Sequence, residues 1–389
     1  GEGDSCQKGK ESVLPQENRL TPAELECIQC NKCTLSCPVH WVDPEYSPRG
    51  MILRLQMGEH ASLIQDPNIF RCLSCDACRE LCPSHTKFAD YLRQSRHLAR
   101  GLGFSNDCKH GALLSSVQKM MGDLDLPQNR LDWAEGLQID PDSKLSYFVG
   151  CLPLFDQVFS HTESTSTARN TLKIMNRLGL RPAVLQEEKC CGYDTYWTGD
   201  EETYKKLARH NLSVLQERKI ERIVTSCPEC YLALKFLYPS LEPSFRPEVL
   251  HLTQFLLPEI RAGRLKFKEV SRKVTYHDPC RLGRIAKEYE APREILKAIP
   301  GCELLEMPRN RDRSPCCGIG NYSNCDSRTK FLQNERLKEA ASTGATLLST
   351  ACPKCRIHFN CYLEGNPIEE FEAPQIEDLS AILLEAMEG

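Results

Sequence analysis

Two stretches near the start, CIQCNKCTLSCP and CLSCDACRELCP, repeat one spacing, C-x2-C-x2-C-x3-C-P, about 45 residues apart. Three thiolates at three-residue intervals wrap a short loop around one face of a cubane cluster, and the fourth, set before a proline, points away from that face. A four-cysteine zinc site is ordinarily built from two C-x2-C pairs, so paired quartets read as two [4Fe-4S] sites. In two-cluster proteins of this spacing the fourth cysteine serves the other cluster. The first site is therefore assigned Cys27, Cys30, Cys33 and Cys82, and the second Cys72, Cys75, Cys78 and Cys37.

The quartets use eight of 23 cysteines in a chain of 389 residues. Disulfide frameworks staple small exported domains, and the first 30 residues lack the apolar core of an export signal. The expectation is a cytoplasmic protein whose cysteines bind metal or do redox chemistry. With 49 basic and 53 acidic residues and a net charge of −4, nothing attracts nucleic acid at long range. No run approaches the roughly 18 apolar residues of a membrane span. Work at a membrane is thus expected to be peripheral, on the cytoplasmic face, through a partner that spans it.

The 34 residues between Cys37 and Cys72 are too many for the tight turns of a compact β-type module. The stretch SPRGMILRLQMGEH predicts a helix with Met51, Ile52, Leu55 and Met57 at helical spacing, Ser47 as N-cap and Pro48 at the first position. A second helix is predicted in KFADYLRQSRHLARGLG, with Phe88, Leu92 and Leu98 on one side. Its basic residues Arg93, Arg96 and Arg100 are expected on a solvated face or one that meets an electron donor. This part looks like an α-helical two-cluster ferredoxin over residues 21–103. A polar tail, 1–20, expected to be disordered, precedes it, and a linker, 104–145, follows.

The remainder is one unit written twice. Cys280 follows Cys151 by 129 residues, Cys316 follows Cys190 by 126, and Cys352 follows Cys227 by 125. SYFVGC answers VTYHDPC, IVTSCPEC answers LLSTACPKC, and HLTQFLLPEI answers DLSAILLEAM. Copy one spans 146–268 and copy two 269–389, joined near RAGRLKFKEVSRK. Each alternates strand and helix: in the first, LSYFVG, RPAVLQ and RIVTS are predicted strands, with helices in TARNTLKIMNRLGL and EETYKKLARHNLSVLQERK. Such alternation implies an α/β fold with a parallel sheet, and places the cysteines at the C-terminal strand ends, where open sheets bind ligands.

The combined pattern is C-x38-C-C-G-x34-C-x2-C, then C-x35-C-C-G-x33-C-x2-C. It resembles the CCG domains of the heterodisulfide reductase family, in the order of its fused D-type chains: a C-type ferredoxin module followed by a B-type double CCG module. It is also similar to the iron-sulfur subunits of anaerobic glycerol-3-phosphate dehydrogenase, glycolate oxidase and lactate utilisation. The resemblance implies two noncubane [4Fe-4S] clusters, each on five cysteines: Cys151, Cys190, Cys191, Cys227 and Cys230; and Cys280, Cys316, Cys317, Cys352 and Cys355. A glycine after each adjacent pair permits a sharp bend, whereas a vicinal disulfide would close a strained ring. The family commonly has a histidine after the first cysteine of the second motif; here Arg281 stands there, leaving His277 and Asp278 as candidates for proton transfer. Arg281 and Arg284 are candidates for fixing an anionic substrate or offsetting cluster charge.

The implied activity is reduction of a disulfide, with electrons passing through the cubane clusters to the noncubane ones. The alternative is a non-catalytic conduit between a flavoprotein dehydrogenase and a membrane quinone or cytochrome b partner. No flavin or dinucleotide fingerprint is present, so an electron-donating flavoprotein or cytochrome b subunit is expected in a hetero-oligomer. Cys6, Cys108, Cys302, Cys325 and Cys361 are read as structural or without a role.

Overall fold

A computed structural model of the chain describes residues 26–105, 113–123, 128–158, 162–320, 325–365 and 370–387. The expected tail at 1–20, Cys6 and Cys108 lie outside these residues. Among the described residues, short runs form seven strands: β1 Leu145–Tyr147, β2 Arg222–Thr225, β3 Glu248–His251, β4 Arg272–His277, β5 Cys302–Leu304, β6 Leu347–Thr350 and β7 Gln375–Asp378. They make two parallel sheets, ordered β1-β2-β3 and β5-β4-β6-β7. Since β1, β2 and β3 answer β4, β6 and β7, the duplication seen in the cysteines extends to the sheet order.

One predicted strand is nearly absent. RPAVLQ contributes only a single bridge, Ala183 to Ser146, where the second sheet has β5. Ala183 donates to Leu145 and accepts from Tyr147, at 2.8 and 2.9 Å.

The chain divides into two compact units. One contains the chain up to Met120 together with Gly192–Tyr204 and Gly318–Leu332; the other contains Met121–Cys191, Lys205–Cys317 and the chain from Gln333 onward. The sheets of both copies lie in the second unit, so the repeats share one core. Helix Ser164–Arg177 of the first copy packs on helix Leu379–Met387 of the second, with Leu172, Met175, Ile382 and Leu383 in the common core. Reciprocally, helix Leu252–Arg261 of the first packs on helix Glu290–Lys297 of the second through Leu256, Ile295 and Leu296. Each of these two helix pairs takes one member from each copy.

In the first unit, helix Pro48–Gln56 forms where predicted. The Ser47 hydroxyl accepts from the Gly50 N–H, Pro48 stands at the first position, and Met51, Ile52 and Leu55 are buried while Met57 is exposed. Helix Phe88–Gly101 also forms, but its basic face is not solvated. Arg96 is fully buried and donates to the carbonyls of Ile69, Cys72 and Trp197, at 2.8, 2.8 and 2.7 Å. Arg100 donates to Thr198 O at 3.0 Å, and Arg93 pairs with Glu201 at 2.8 Å. The cause lies in the segment after the first Cys-Cys pair. Its short helix, Tyr193–Trp197, ends here, and carbonyls at a helix C-terminus need donors and attract cations. No helix of the described residues is long and apolar enough to cross a membrane.

Candidate metal centres

The two quartets are built alike. Each loop places left-handed residues at the same offsets, Gln29 and Asn31 in one, Ser74 and Asp76 in the other, and each then enters a one-turn helix, Lys32–Leu35 or Ala77–Glu80. Asn and Asp tolerate that backbone region better than most residues. The N–H two residues after the first cysteine points at its sulfur in both loops: Gln29 N to Cys27 Sγ at 3.4 Å and Ser74 N to Cys72 Sγ at 3.3 Å. The fourth cysteines cross over. Cys82 and Cys27 are the thiols acting on Cys33, whereas Cys75 and Cys72 act on Cys37, and Cys37 joins Cys72 and Cys75 around Cys78. Burial pushes the Cys37 and Cys78 thiols up, and their thiol neighbours add to it.

All ten cysteines of the two larger sets are buried free thiols. Cys151 and Cys227 follow β1 and β2, and Cys280 and Cys352 follow β4 and β6, so the sets gather at the C-terminal strand ends. The sulfurs are connected in the same order in both copies. In the first, Cys151 meets Cys190, Cys190 meets Cys191, Cys191 meets Cys230, and Cys230 meets Cys227. In the second, Cys280 lies 4.0 Å from Cys316, Cys316 meets Cys317, Cys317 lies 3.4 Å from Cys355, and Cys355 meets Cys352. Gly192 and Gly318, at φ +76° and +92°, make the bend after each pair in a region open to glycine. Gly150 leaves room for Cys230, whose sulfur would lie 2.8 Å from a Cβ at that position.

Hydrogen bonds from neighbouring thiols and then burial hold Cys151, Cys191, Cys230 and Cys355 well above the ordinary thiol range. Five thiols packed this closely resist shared ionisation, and a polycationic group that bonds thiolates would relieve that resistance. The all-sulfur, buried donor sets therefore fit iron-sulfur clusters.

The surroundings of the two sets differ. Phe148 and Ala233 of the first copy correspond to His277 and His358 of the second, and Asn211 corresponds to Arg336. Asn211 supports the first pair through the backbone: its side chain accepts from Lys189 N at 2.8 Å and donates to Cys190 O at 3.0 Å. Arg336, fully buried, instead donates from Nε to His277 Nδ1 at 3.1 Å and from Nη2 to Ser314 Oγ at 3.1 Å. His277, Cys317 and Cys355 present ligand atoms within 4.8 Å of one another, and the buried His358 ring is a further neighbour of the Cys317 thiol.

Arg336 takes the lone pair on Nδ1, so His277 is a neutral imidazole with its proton on Nε2. Burial also favours the neutral ring. Asp278 has both oxygens bound by Arg293, at 2.6 and 2.8 Å. These bonds fix both groups in place: Arg293 holds Asp278, and Arg336 holds His277 with Nε2 as its hydrogen-bearing nitrogen.

Three charged groups lie between the sets. Glu229, inside C-P-E-C, bonds Lys354 at the equivalent place in C-P-K-C, and Arg281 Nε lies 3.6 Å from the same carboxylate. All three are buried. Lys354 of the second copy acts on Cys151 of the first, while Cys227 and Glu229 of the first act on Cys352 of the second. Two cations against one carboxylate leave a positive surplus beside thiolates, consistent with a charge-offsetting role for Arg281. Arg284 instead binds the carbonyls of Ser314 and Asp312, which holds the loop before Cys316. Sequence reading missed His358 and Lys354. The first carries a signal in C-x2-C-x2-H, whose Cys355 and His358 share the helix Pro353–Gly365; the second in the opposite charges at matching positions.

Residues 145–235 and 274–360 match the cysteine-rich domain family CCG, and residues 26–87 match a 4Fe-4S dicluster domain family. The D-type chain of the dihydromethanophenazine:CoB--CoM heterodisulfide reductase of Methanosarcina barkeri is 34% identical over 62% of this chain and 61% of its own length. A probable membrane-anchored ferredoxin of Chromohalobacter salexigens is 33% identical over 68% of this chain and 40% of its own. An EtfAB:quinone oxidoreductase of Syntrophomonas wolfei is 28% identical over 62% and 34%. The chain spans about three-fifths of the length of the heterodisulfide reductase chains it matches, 56 to 63%. With one dicluster domain and two cysteine-rich domains in the same order as its quartets and five-cysteine sets, the chain is a homologue of the D-type iron-sulfur proteins of the heterodisulfide reductase family.

Proposed function

We propose that this chain is an iron-sulfur oxidoreductase subunit that reduces a disulfide with electrons received from a partner. The observation that carries the reading is the pair of complete, buried five-cysteine sets in one unit, linked by Glu229 and Lys354. Cys27, Cys30, Cys33 and Cys82 would hold one cubane [4Fe-4S] cluster, and Cys72, Cys75, Cys78 and Cys37 the other. The five-cysteine sets would each hold a noncubane cluster. When bound, such clusters would supply single electrons to a disulfide.

The chain's own groups prepare that chemistry. The ten thiolates hold their sites in a buried place, Arg281 and Lys354 offset negative charge there, and the bends at Gly192 and Gly318 keep each adjacent pair on one site. A disulfide has two sulfur ends, and paired sites from one duplicated unit offer a place for each. The domain limits proposed at 21–103, 146–268 and 269–389 divide these roles between electron entry and substrate. The partner is proposed to be a flavoprotein or cytochrome b subunit.

A second reading is favoured by two of the relatives, whose names describe a membrane-anchored ferredoxin and a quinone oxidoreductase. In it the chain passes electrons to a membrane partner without acting on a disulfide. Adding low-molecular-weight thiols to the anaerobically prepared, oxidised protein separates the two. Disulfide reduction predicts that a thiol changes a paramagnetic signal of the five-cysteine sites. Silence toward every thiol, with fast exchange with a reduced quinone or flavoprotein, supports the conduit.

A further inference from the structure

The second five-cysteine set has polar partners that the first lacks. Imidazoles of His277 and His358 flank Cys317, the second member of its adjacent pair, where Phe148 and Ala233 occupy the equivalent places by Cys191. All four positions are buried, so solvent does not even out the contrast. The His277 ring is fixed. Arg336 Nε donates to Nδ1 at 3.1 Å, and an arginine does not give up its protons, so Nε2 carries the hydrogen, on a ring that has a nitrogen within 4.8 Å of the Cys317 and Cys355 sulfurs. His358 lies one helical turn from Cys355, on the helix that begins at Pro353, and Gln333 Nε2 holds its carbonyl at 2.9 Å. Buried Nε2 of His277 and both ring nitrogens of His358 have no hydrogen-bond partner among the described residues, so each ring keeps a donor to offer a bound group.

We propose that His277 and His358 act as fixed N–H donors to the Cys317 thiolate and thereby make the second five-cysteine site more easily reduced than the first. The inference rests on the reading that both sets hold iron-sulfur clusters. Reduction adds negative charge that spreads onto the cysteine sulfurs, and a donor aimed at one of them stabilises the reduced form more than the oxidised form. Hydrogen bonds to ligand sulfurs are among the recognised determinants of such potentials. An electron delivered to the pair of sites would therefore rest at the second. Arg336 is a positioning residue in this arrangement.

The test is a redox titration of the anaerobically prepared full chain, followed by electron paramagnetic resonance, with iron content measured on the same samples. His358→Ala installs the residue of the first copy. It is expected to shift the midpoint of one five-cysteine signal downward, changing its reduction equilibrium roughly tenfold, the size of one hydrogen bond to a charged group and equal to about 59 mV for one electron. The other five-cysteine signal and both cubane signals should stay in place. His277→Phe should act on the same signal in the same direction. His358→Gln retains an N–H donor and should restore most of the shift, an outcome a packing role would not produce. Unchanged potentials in His358→Ala and His277→Phe at full iron content would overturn the inference alone. Wild-type protein with no five-cysteine signal and about half the expected iron would overturn the underlying reading instead.

Discussion

The two copies of the α/β repeat keep one sulfur framework and change nearly everything around it. Five thiols connect in the same order, follow equivalent strands, and end in the same glycine bend. Around them, Asn211 supports the first Cys-Cys pair through its backbone, whereas Arg336 supports the second through the ring of His277. Glu188, whose carboxylate accepts from Val149 N and Gly150 N at 3.1 and 2.6 Å, has Ser314 as its counterpart. Duplication thus conserves what holds a metal, and divergence acts on what surrounds it. Two sites made equal by descent become unequal in charge and hydrogen bonding.

That contrast can be broken at several levels. The largest effect is expected from Cys191→Ala and Cys317→Ala, each removing a ligand from one set. Each should lose about four iron atoms and one five-cysteine signal while the cubane signals persist. Reversing one charge of the buried link comes next. Glu229→Lys puts a third cation against Lys354 and Arg281, and is expected to lower stability by roughly 3–5 kcal/mol in denaturant unfolding. The double variant Glu229→Lys, Lys354→Glu should recover only part of this, because Arg281 stays beside position 229. Full recovery would remove Arg281 from the link.

Asn211→Ala leaves Lys189 N without its side-chain acceptor and is expected to cost about 2 kcal/mol, with the second set's spectrum unchanged. A change in that spectrum would mean the copies are coupled through their cores. The smallest effect is expected from Gly192→Ala, about 1–2 kcal/mol for an alanine at φ +76°. Thermal unfolding reads it directly, and an unchanged midpoint would deny the bend its role.

Much of this was legible in the sequence because the informative interactions are encoded at fixed spacings. The quartets, the duplicated five-cysteine pattern, the Ser47 cap and the bends at Gly192 and Gly318 all depend on residues close in the chain. What sequence missed depends on residues far apart. Arg96 looked like a solvated residue, yet its acceptors are the carbonyls of Ile69, Cys72 and Trp197, and nothing local to the helix foretells a buried guanidinium. RPAVLQ has a strand's apolar residues, but it pairs with β1 only at Ala183. His277, a candidate proton carrier in the sequence, accepts from Arg336, 59 positions away, a partner no local pattern foretells.

The central claim is that both five-cysteine sets hold clusters in addition to the two cubanes. Iron and sulfide analysis of the anaerobically purified wild type beside Cys191→Ala and Cys317→Ala tests it most directly. The account predicts about 16 iron atoms per chain in the wild type and about 12 in each variant. A wild-type value of about eight that neither substitution changes would contradict it.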